Sequence, residues 1–197
     1  GSFASIGAIG SVNQHMKLIF QEQGFQAGVA LNTVSANATL MILWSSIAGR
    51  IIMGWAADRF PKKYVMVFTY LLVASTIPLL LLVHPGSETS LYIFSVLFGF
   101  GMGADYMLIP LMAAEQFGVN TLARAMAIIL PTDTIGQTWF PYLVSHVHDA
   151  FGGYGVALKL VIGLAFVGAA AIVLLPKQGQ KDEALHVQEP GGASAKR

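Results

Sequence analysis

The stretch Gly54-Trp55-Ala56-Ala57-Asp58-Arg59-Phe60-Pro61-Lys62-Lys63 decides how the chain is read. It places one acid and three bases within six positions, directly between two long apolar runs. An Asp at a helix end near a membrane surface can pair with an Arg or with the positive N-terminus of a neighbouring helix, and the bases can anchor the connection at an anionic leaflet. Spacing alone leaves a plainer reading open, a charged connector kept in water by the positive-inside bias.

Outward from that connection, the chain is poor in charge. Of 197 residues 55% are hydrophobic and 11% charged, where a soluble domain carries about a quarter. Seven of the 21 charged residues lie beyond residue 176, which leaves 14 for everything before it. With about 20 apolar residues per bilayer span and short connectors, 176 residues hold about six spans. The net charge of +1 excludes a basic nucleic-acid face, so no nucleic-acid partner is expected. The absence of Cys removes disulfides, thiolate metal sites and Cys nucleophiles. The chain opens at Gly1 with no basic region ahead of its apolar stretch, so no signal peptide is read, and we expect a chain cut from something longer.

Apolar runs and polar breaks place spans at Ser2 to Phe20, Ala27 to Ala56, Tyr64 to Val83, Ser90 to Ala114, Ala123 to Val147 and Gly155 to Leu175. The last would rise about 31 Å as a helix, close to the hydrocarbon thickness. Internal Pro78, Pro110, Pro131 and Pro141 are tolerated in membrane helices, and the near-continuous runs do not alternate as barrel strands would. Arg50, Arg59, Lys62 and Lys63 flank the second connection, Arg124 the fourth, and Lys177, Lys181, Lys196 and Arg197 follow the last span. Nine of eleven bases thus share one side, against Lys17 and Lys159 on the other. The basic side is expected to be cytoplasmic. The expected organisation is a six-span domain over 1–176 and a disordered cytosolic tail over 177–197, whose polar composition cannot build a core.

The pattern G-x-x-x-D-R-x-x-[KR]-[KR] between two hydrophobic spans resembles the signature loop of the major facilitator superfamily of transporters. In the usual pattern a Gly follows the residue after Asp-Arg, and Pro61 stands there here. The resemblance covers about residues 1 to 176. It implies an all-α, polytopic membrane fold: six helices as two inverted three-helix repeats, the C-terminal half of a twelve-helix transporter, whose missing N-terminal half would be its partner. A weak echo between Asp58-Arg-Phe60 with Tyr64 and Asp149-Ala-Phe151 with Tyr154 is consistent with such repeats. The segment from Gly101 to Leu111, with Glu115 to Gly118, Arg124, Pro141 and Asp149 to Tyr154, is similar to the bacterial oxalate/formate antiporter and monocarboxylate porter groups. Those groups tend to carry an Arg in helix eight and a Lys in helix eleven. Here the second span holds no cation before Arg50 and the fifth holds Asp133, so the expected anion partners are missing from this half.

Ionisable side chains at membrane depth are costly and need a reason. Asp105, about halfway along the fourth span, and Asp133, ten residues into the fifth, are the two carboxyls at depth. Desolvation penalises their charged form, so each is a candidate proton carrier, or else a hydrogen-bonding link between helices. The Gly99, Gly101, Gly103 run beside Asp105 favours close helix approach and, with no strand before it, is no dinucleotide fingerprint. Gln14, Lys17 and Gln21 share a helical face able to line a cavity, with Lys17 either attracting an anion or snorkelling to the surface, and His15 titrating or merely hydrogen-bonded. Asn32 and Asn37 stand about 500° apart around their helix and cannot both face one narrow cavity. Gln137 joins the pathway candidates, and Trp139 reads as core packing. His146, His148 and Asp149 do not share a face and do not read as a metal site.

The expected function is secondary transport of a small organic solute by alternating access, possible in a proton-coupled or monocarboxylate form, in a bacterial cytoplasmic membrane. Gly54, Asp58, Arg59, Lys62 and Lys63 would form the cytoplasmic latch, and Asp105, Asp133, Gln137, Asn32, Asn37, Gln14, His15 and Lys17 would line the path. Drug or metabolite efflux by the same fold, and a non-transporting receptor on the same scaffold, are the alternatives. No enzyme, cofactor or metal is read, because nucleophile, acid and ligand sets do not converge. Impermeant labelling of single cysteines in intact cells tests the orientation. A cysteine in the connection containing His84 is expected to label from outside, and one in the tail only after permeabilisation.

Overall fold

The computed structural model describes residues 1–25, 28–86 and 88–174, and the expected tail over 177–197 lies outside the described residues. Among the described residues there are six α-helices: α1 Ser2–Glu22, α2 Val29–Arg59, α3 Lys62–Thr76, α4 Glu88–Phe117, α5 Leu122–Phe151 and α6 Tyr154–Val173. Each lies on one of the six apolar runs. Among the described residues, four helical stretches are long and apolar enough to cross a membrane: Ala30–Arg59, Lys62–Leu82, Thr89–Phe117 and Tyr154–Val173. α1 and α5 do not meet that measure, because polar residues such as Asn13, Gln14, His15, Lys17, Thr132, Asp133 and Gln137 dilute their apolar content.

Local sequence explains where the helices stop. The run expected as one helix from Tyr64 to Val83 is α-helical only to Thr76 and tightens into a 3-10 segment, Ile77–Leu82, with Pro78 at its start. Proline has no N–H to donate and its ring crowds the preceding turn, so the i to i−4 ladder lapses there. α5 ends where Gly152 takes the left-handed conformation, φ 71°, with its N–H on the carbonyl of His148. The connection between α2 and α3 is only Phe60 and Pro61, so most of the charged stretch is helix rather than loop.

Packing is built on two intimate pairs, α2 along α4 and α1 along α5, with α3 against α4 and α6, and α1 against α6. The α2–α4 contact is made backbone to backbone. A side chain at Gly99 or Gly103 would strike the main chain of Ile42 or Ser46, and one at Gly49 would strike that of Phe100. The α1–α5 pair repeats this on a smaller scale: Gly10 lies against the backbone of Gln137, and Gly136 against the carbonyl of Phe3. Where small residues let backbones meet, dispersion and interhelical hydrogen bonds hold helices that lipid would solvate equally well apart. Ser45 adds such a bond, Oγ to the carbonyl of Val96 at 2.5 Å.

Phe94 and Phe98 of α4, fully buried and stacked at 5.2 Å, fill the centre with Phe20, Val73, Ile77, Leu158 and Val161. The outside of α2 carries Leu40, Trp44, Ile47, Ile51 and Trp55 at three- and four-residue spacing, all exposed by half or more. A large apolar stripe of this kind is stable only against lipid or another hydrophobic surface. Replacing Gly103 by Leu is expected to destabilise the fold by about 1–3 kcal/mol or more, since the new side chain meets a carbonyl that cannot yield. Gly163→Leu in α6, where nothing lies within 4 Å of the added Cβ, is the control and should leave the melting temperature in detergent nearly unchanged.

Candidate functional site

At the basic end, Asp58 and Arg59 are both exposed at the close of α2. Arg59 stacks its guanidinium over the Trp55 ring at 4.6 Å, while Gly54 is buried beside the Met107 methyl. No side-chain partner of Asp58 occurs among the described residues, so the pairing expected of it is not made among them. The ion pair of this corner is instead Lys62 with Glu115 at 3.4 Å, tying the start of α3 to the last turn of α4. Lys63 is half-buried next to it.

The two deep carboxyls occupy different settings. Asp105 on α4 is fully buried and accepts a hydrogen bond from Ser5 Oγ of α1 at 2.7 Å on Oδ2. Tyr70 of α3, also buried, brings its hydroxyl close to the same carboxyl, while Oδ1 lacks a partner. Asp105 is therefore a knot joining α1, α3 and α4. Asp133 on α5 is 6% exposed, and its Oδ1 is buried without a hydrogen-bond partner. It lines a cavity of about 230 Å³ between α1, α4 and α5, with Ile6, Tyr106, Ile109, Pro110, Met126, Leu130, Thr134 and Gln137.

That cavity collects several of the expected pathway residues. Gln137, one turn beyond Asp133, donates from Nε2 to the Tyr106 hydroxyl at 2.7 Å, and Gln14 of α1 donates to the Gln137 carbonyl at 3.2 Å. Tyr106, next to Asp105 in sequence, was not among the expected residues, and only tertiary packing brings it to Gln137. Lys17 and Gln21 are exposed with Gln14, as their shared face requires. His15 is turned away from them: it is buried, bonds the Ser11 carbonyl at 3.1 Å and packs on the Tyr154 ring at 5.6 Å. Asn32 and Asn37 are both exposed but on different faces. Asn37 shares the stripe of Trp44 and Ile51, whereas Asn32 lies about five turns above Arg50 on the same face.

Two readings need correction. Arg50 does not flank the connection, because α2 continues nine residues past it, about 13 Å of helix. It is exposed and acts electrostatically on the Tyr106 hydroxyl. The signal for the longer helix was the apolar run after Arg50, Ile51 to Ala57. Trp139 is not core; it is 64% exposed and meets Tyr142 edge-on at 6.5 Å.

At the opposite end, His148 and Asp149 lie in the last turn of α5 rather than in a connection. Asp149 Oδ1 lies 3.1 Å from His148 Nδ1, and His148 Nε2 lies 4.0 Å from Glu22 of α1, whose carboxylate accepts from the Tyr154 N–H at 3.1 and 3.3 Å and so caps α6. The His148 ring lies 4.3 Å from that of Tyr154. This polar corner joins α1, α5 and α6, and is structural in its geometry.

These features are those of a membrane protein with a polar cavity sunk between its helices. The profile of the Major Facilitator Superfamily matches residues 1–196, and the chain belongs to that family. It is 29% identical over 129 residues to mouse Monocarboxylate transporter 12, an alignment covering 64% of this chain and 26% of that protein. It is 26% identical over 135 residues to MFS transporter asaE of Aspergillus flavus, covering 68% and 30%. With the Multidrug resistance protein B homolog of Mycobacterium tuberculosis it shares 34% over 124 residues, covering 61% and 22%. The chain thus matches less than a third of the length of each of these relatives. It is an integral membrane protein of a transporter family.

Ser5→Ala removes the donor to Asp105 Oδ2 and is expected to cost about 1–3 kcal/mol of stability, the range for a buried polar group left unpaired. Ser75→Ala, which removes only an exposed bond within α3, should cost far less; chemical denaturation in detergent compares the two.

Proposed function

We propose that the chain is the C-terminal six-span half of a secondary transporter that moves a small organic solute by alternating access, with the N-terminal six-helix half of the same polypeptide as its partner. The observation that carries this is Asp133, a carboxyl buried at depth with an unpartnered oxygen on a cavity between α1, α4 and α5. A group so costly to bury calls for a use, and transporter sites lie near the midplane between repeats.

The inverted-repeat reading draws support from packing. Exchanging α1 with α4, α2 with α5 and α3 with α6 turns the α2–α4 pair into the α5–α1 pair and α3–α4 into α6–α1. Glycines lie in both pairs, Gly49, Gly99 and Gly103 between α2 and α4, and Gly7, Gly10 and Gly136 between α1 and α5. Asp58 and Asp149 likewise stand near the ends of α2 and α5, just before the two-residue connections Phe60-Pro61 and Gly152-Gly153.

In this reading the basic end is cytoplasmic and the membrane is the inner membrane of a bacterium. Exposed Asp58 and Arg59 complete the latch against the other half, with Lys62 and Lys63 holding α3. Asp133 and Gln137 form the path with Tyr106 and Gln14; Lys17 and Asn32 flank it. Asp105 links helices and, with Asp133, is the route for a coupled proton. A monocarboxylate form has its own support in Arg50, a cation at depth able to hold an anionic group, and in the name of the mouse relative. The name of the mycobacterial relative supports efflux in the same terms.

The complete polypeptide in proteoliposomes is expected to take up a solute from a panel of small carboxylates and amines when a proton gradient is imposed. Asp133→Asn should lower the gradient-driven rate at least about tenfold, as loss of a proton-carrying group does. Absence of flux for every solute, with correctly inserted protein, would leave a receptor on the same scaffold as the better account.

A further inference from the structure

Around the Asp133 cavity, the hydrogen-bonding valences left over are unequal in kind. Thr134 Oγ1 gives its proton to the Leu130 carbonyl at 2.9 Å, and Gln137 Nε2 gives one to Tyr106 at 2.7 Å. What remains are the acceptors Oδ1 of Asp133, Oε1 of Gln137 and the Thr134 oxygen, against two donors, the Tyr106 hydroxyl proton and the second N–H of Gln137 Nε2. Among the described residues no Lys, Arg or His lines it, and Ile6, Ile109, Pro110, Met126 and Leu130 form the rest of its wall. Arg50 reaches Tyr106 electrostatically from α2 but is not part of the lining.

A carboxylate or phosphate would find only the Tyr106 and Gln137 donors and would face the Asp133 carboxyl directly. An uncharged alcohol offers one donor to three acceptors. An ammonium group offers three N–H donors and a positive charge to three acceptors and a carboxylate, in a site where low dielectric strengthens the pairing. The volume, about 230 Å³, equals that of about seven or eight waters, enough for a head group and a short apolar body.

We propose that the cavity formed by Asp133, Thr134, Gln137 and Tyr106 binds the protonated amine of a small amphiphilic solute, with Met126 and Leu130 against its apolar part. This rests on the transport reading above and names the class of solute for the same site. Asp133 Oδ1 holds the ammonium, and Gln137 Oε1 and Thr134 accept its other protons.

The test is equilibrium binding of radiolabelled benzylamine to the complete polypeptide purified in detergent, with benzyl alcohol and benzoate as uncharged and anionic competitors of the same shape. Saturable binding displaced by unlabelled benzylamine but by neither competitor is the expected result. Asp133→Asn should weaken it at least about tenfold, the loss of a hydrogen bond to a charged group, and Asp133→Glu should retain most of it. Met126→Phe, which fills the apolar end and leaves the carboxyl alone, should weaken benzylamine while methylammonium still competes for the site in the unmodified protein. Should Asp133→Asn fail to fold, the competition pattern and Met126→Phe decide. No saturable binding, displacement by benzoate, or indifference to Asp133→Asn overturns the proposal. Solute flux without amine binding overturns it while sparing the transport reading; amine binding without flux of any solute does the reverse.

Discussion

Helices α2 and α4 touch along their backbones, and the remainder of the bundle is arranged around that contact. Gly99 and Gly103 present bare backbone to Ile42 and Ser46, one turn apart on each helix, and Gly49 returns the contact to Phe100. In a bilayer no hydrophobic driving force separates helix from lipid, so close approach must supply the association energy. The same constraint sets α1 on α5 through Gly10 and Gly136. Once the two pairs form, α3 and α6 fill the space against them, and the wide seam left between α1, α4 and α5 becomes a cavity.

That arrangement places two carboxyls at similar depth under opposite conditions. Asp105 faces inward to Ser5 and Tyr70 and is consumed in joining three helices. Both acids keep an unpartnered Oδ1, but of the two it is Asp133 that lines the cavity. Two acids that look alike along the chain are separated by direction: Asp105 points into the bundle, and Asp133 toward the seam. Tyr106, one residue from the buried acid, points the other way and closes the cavity by accepting from Gln137. Strand-like alternation has no part in this; neighbours on a helix diverge by about 100° and therefore serve different surfaces.

Much of the fold was legible in the residues. Each of the six helices lies on its apolar run, and Gly152 and Pro61 stand at two of the breaks. The polar face of Gln14, Lys17 and Gln21 followed from spacing and is open in the structure. The errors have physical causes. Arg50 looked like a flank because a charge is the usual sign of a span's end, yet the apolar run beyond it keeps α2 helical to Arg59. Trp139 looked like core because aromatic residues generally bury, but on α5 that face is turned outward. The partner of Lys62, Glu115, is more than fifty residues distant, and nothing local announces it. Likewise Glu22 caps α6 from the far end of α1.

By itself the sequence determined the class: low charge, apolar runs of helical length and a charged connection after the second run require helices in a membrane, because every backbone polar group in lipid must be bonded within its own segment. Local bonding of that kind is written in consecutive residues. Which side chains meet is not, since it depends on the rotation of each helix about its axis, and that rotation is set by where glycines let backbones touch. Only the tertiary structure could therefore decide that Asp105 meets Ser5 and Tyr70, that Glu115 pairs with Lys62, and that Asp133, Tyr106 and Gln137 share one cavity.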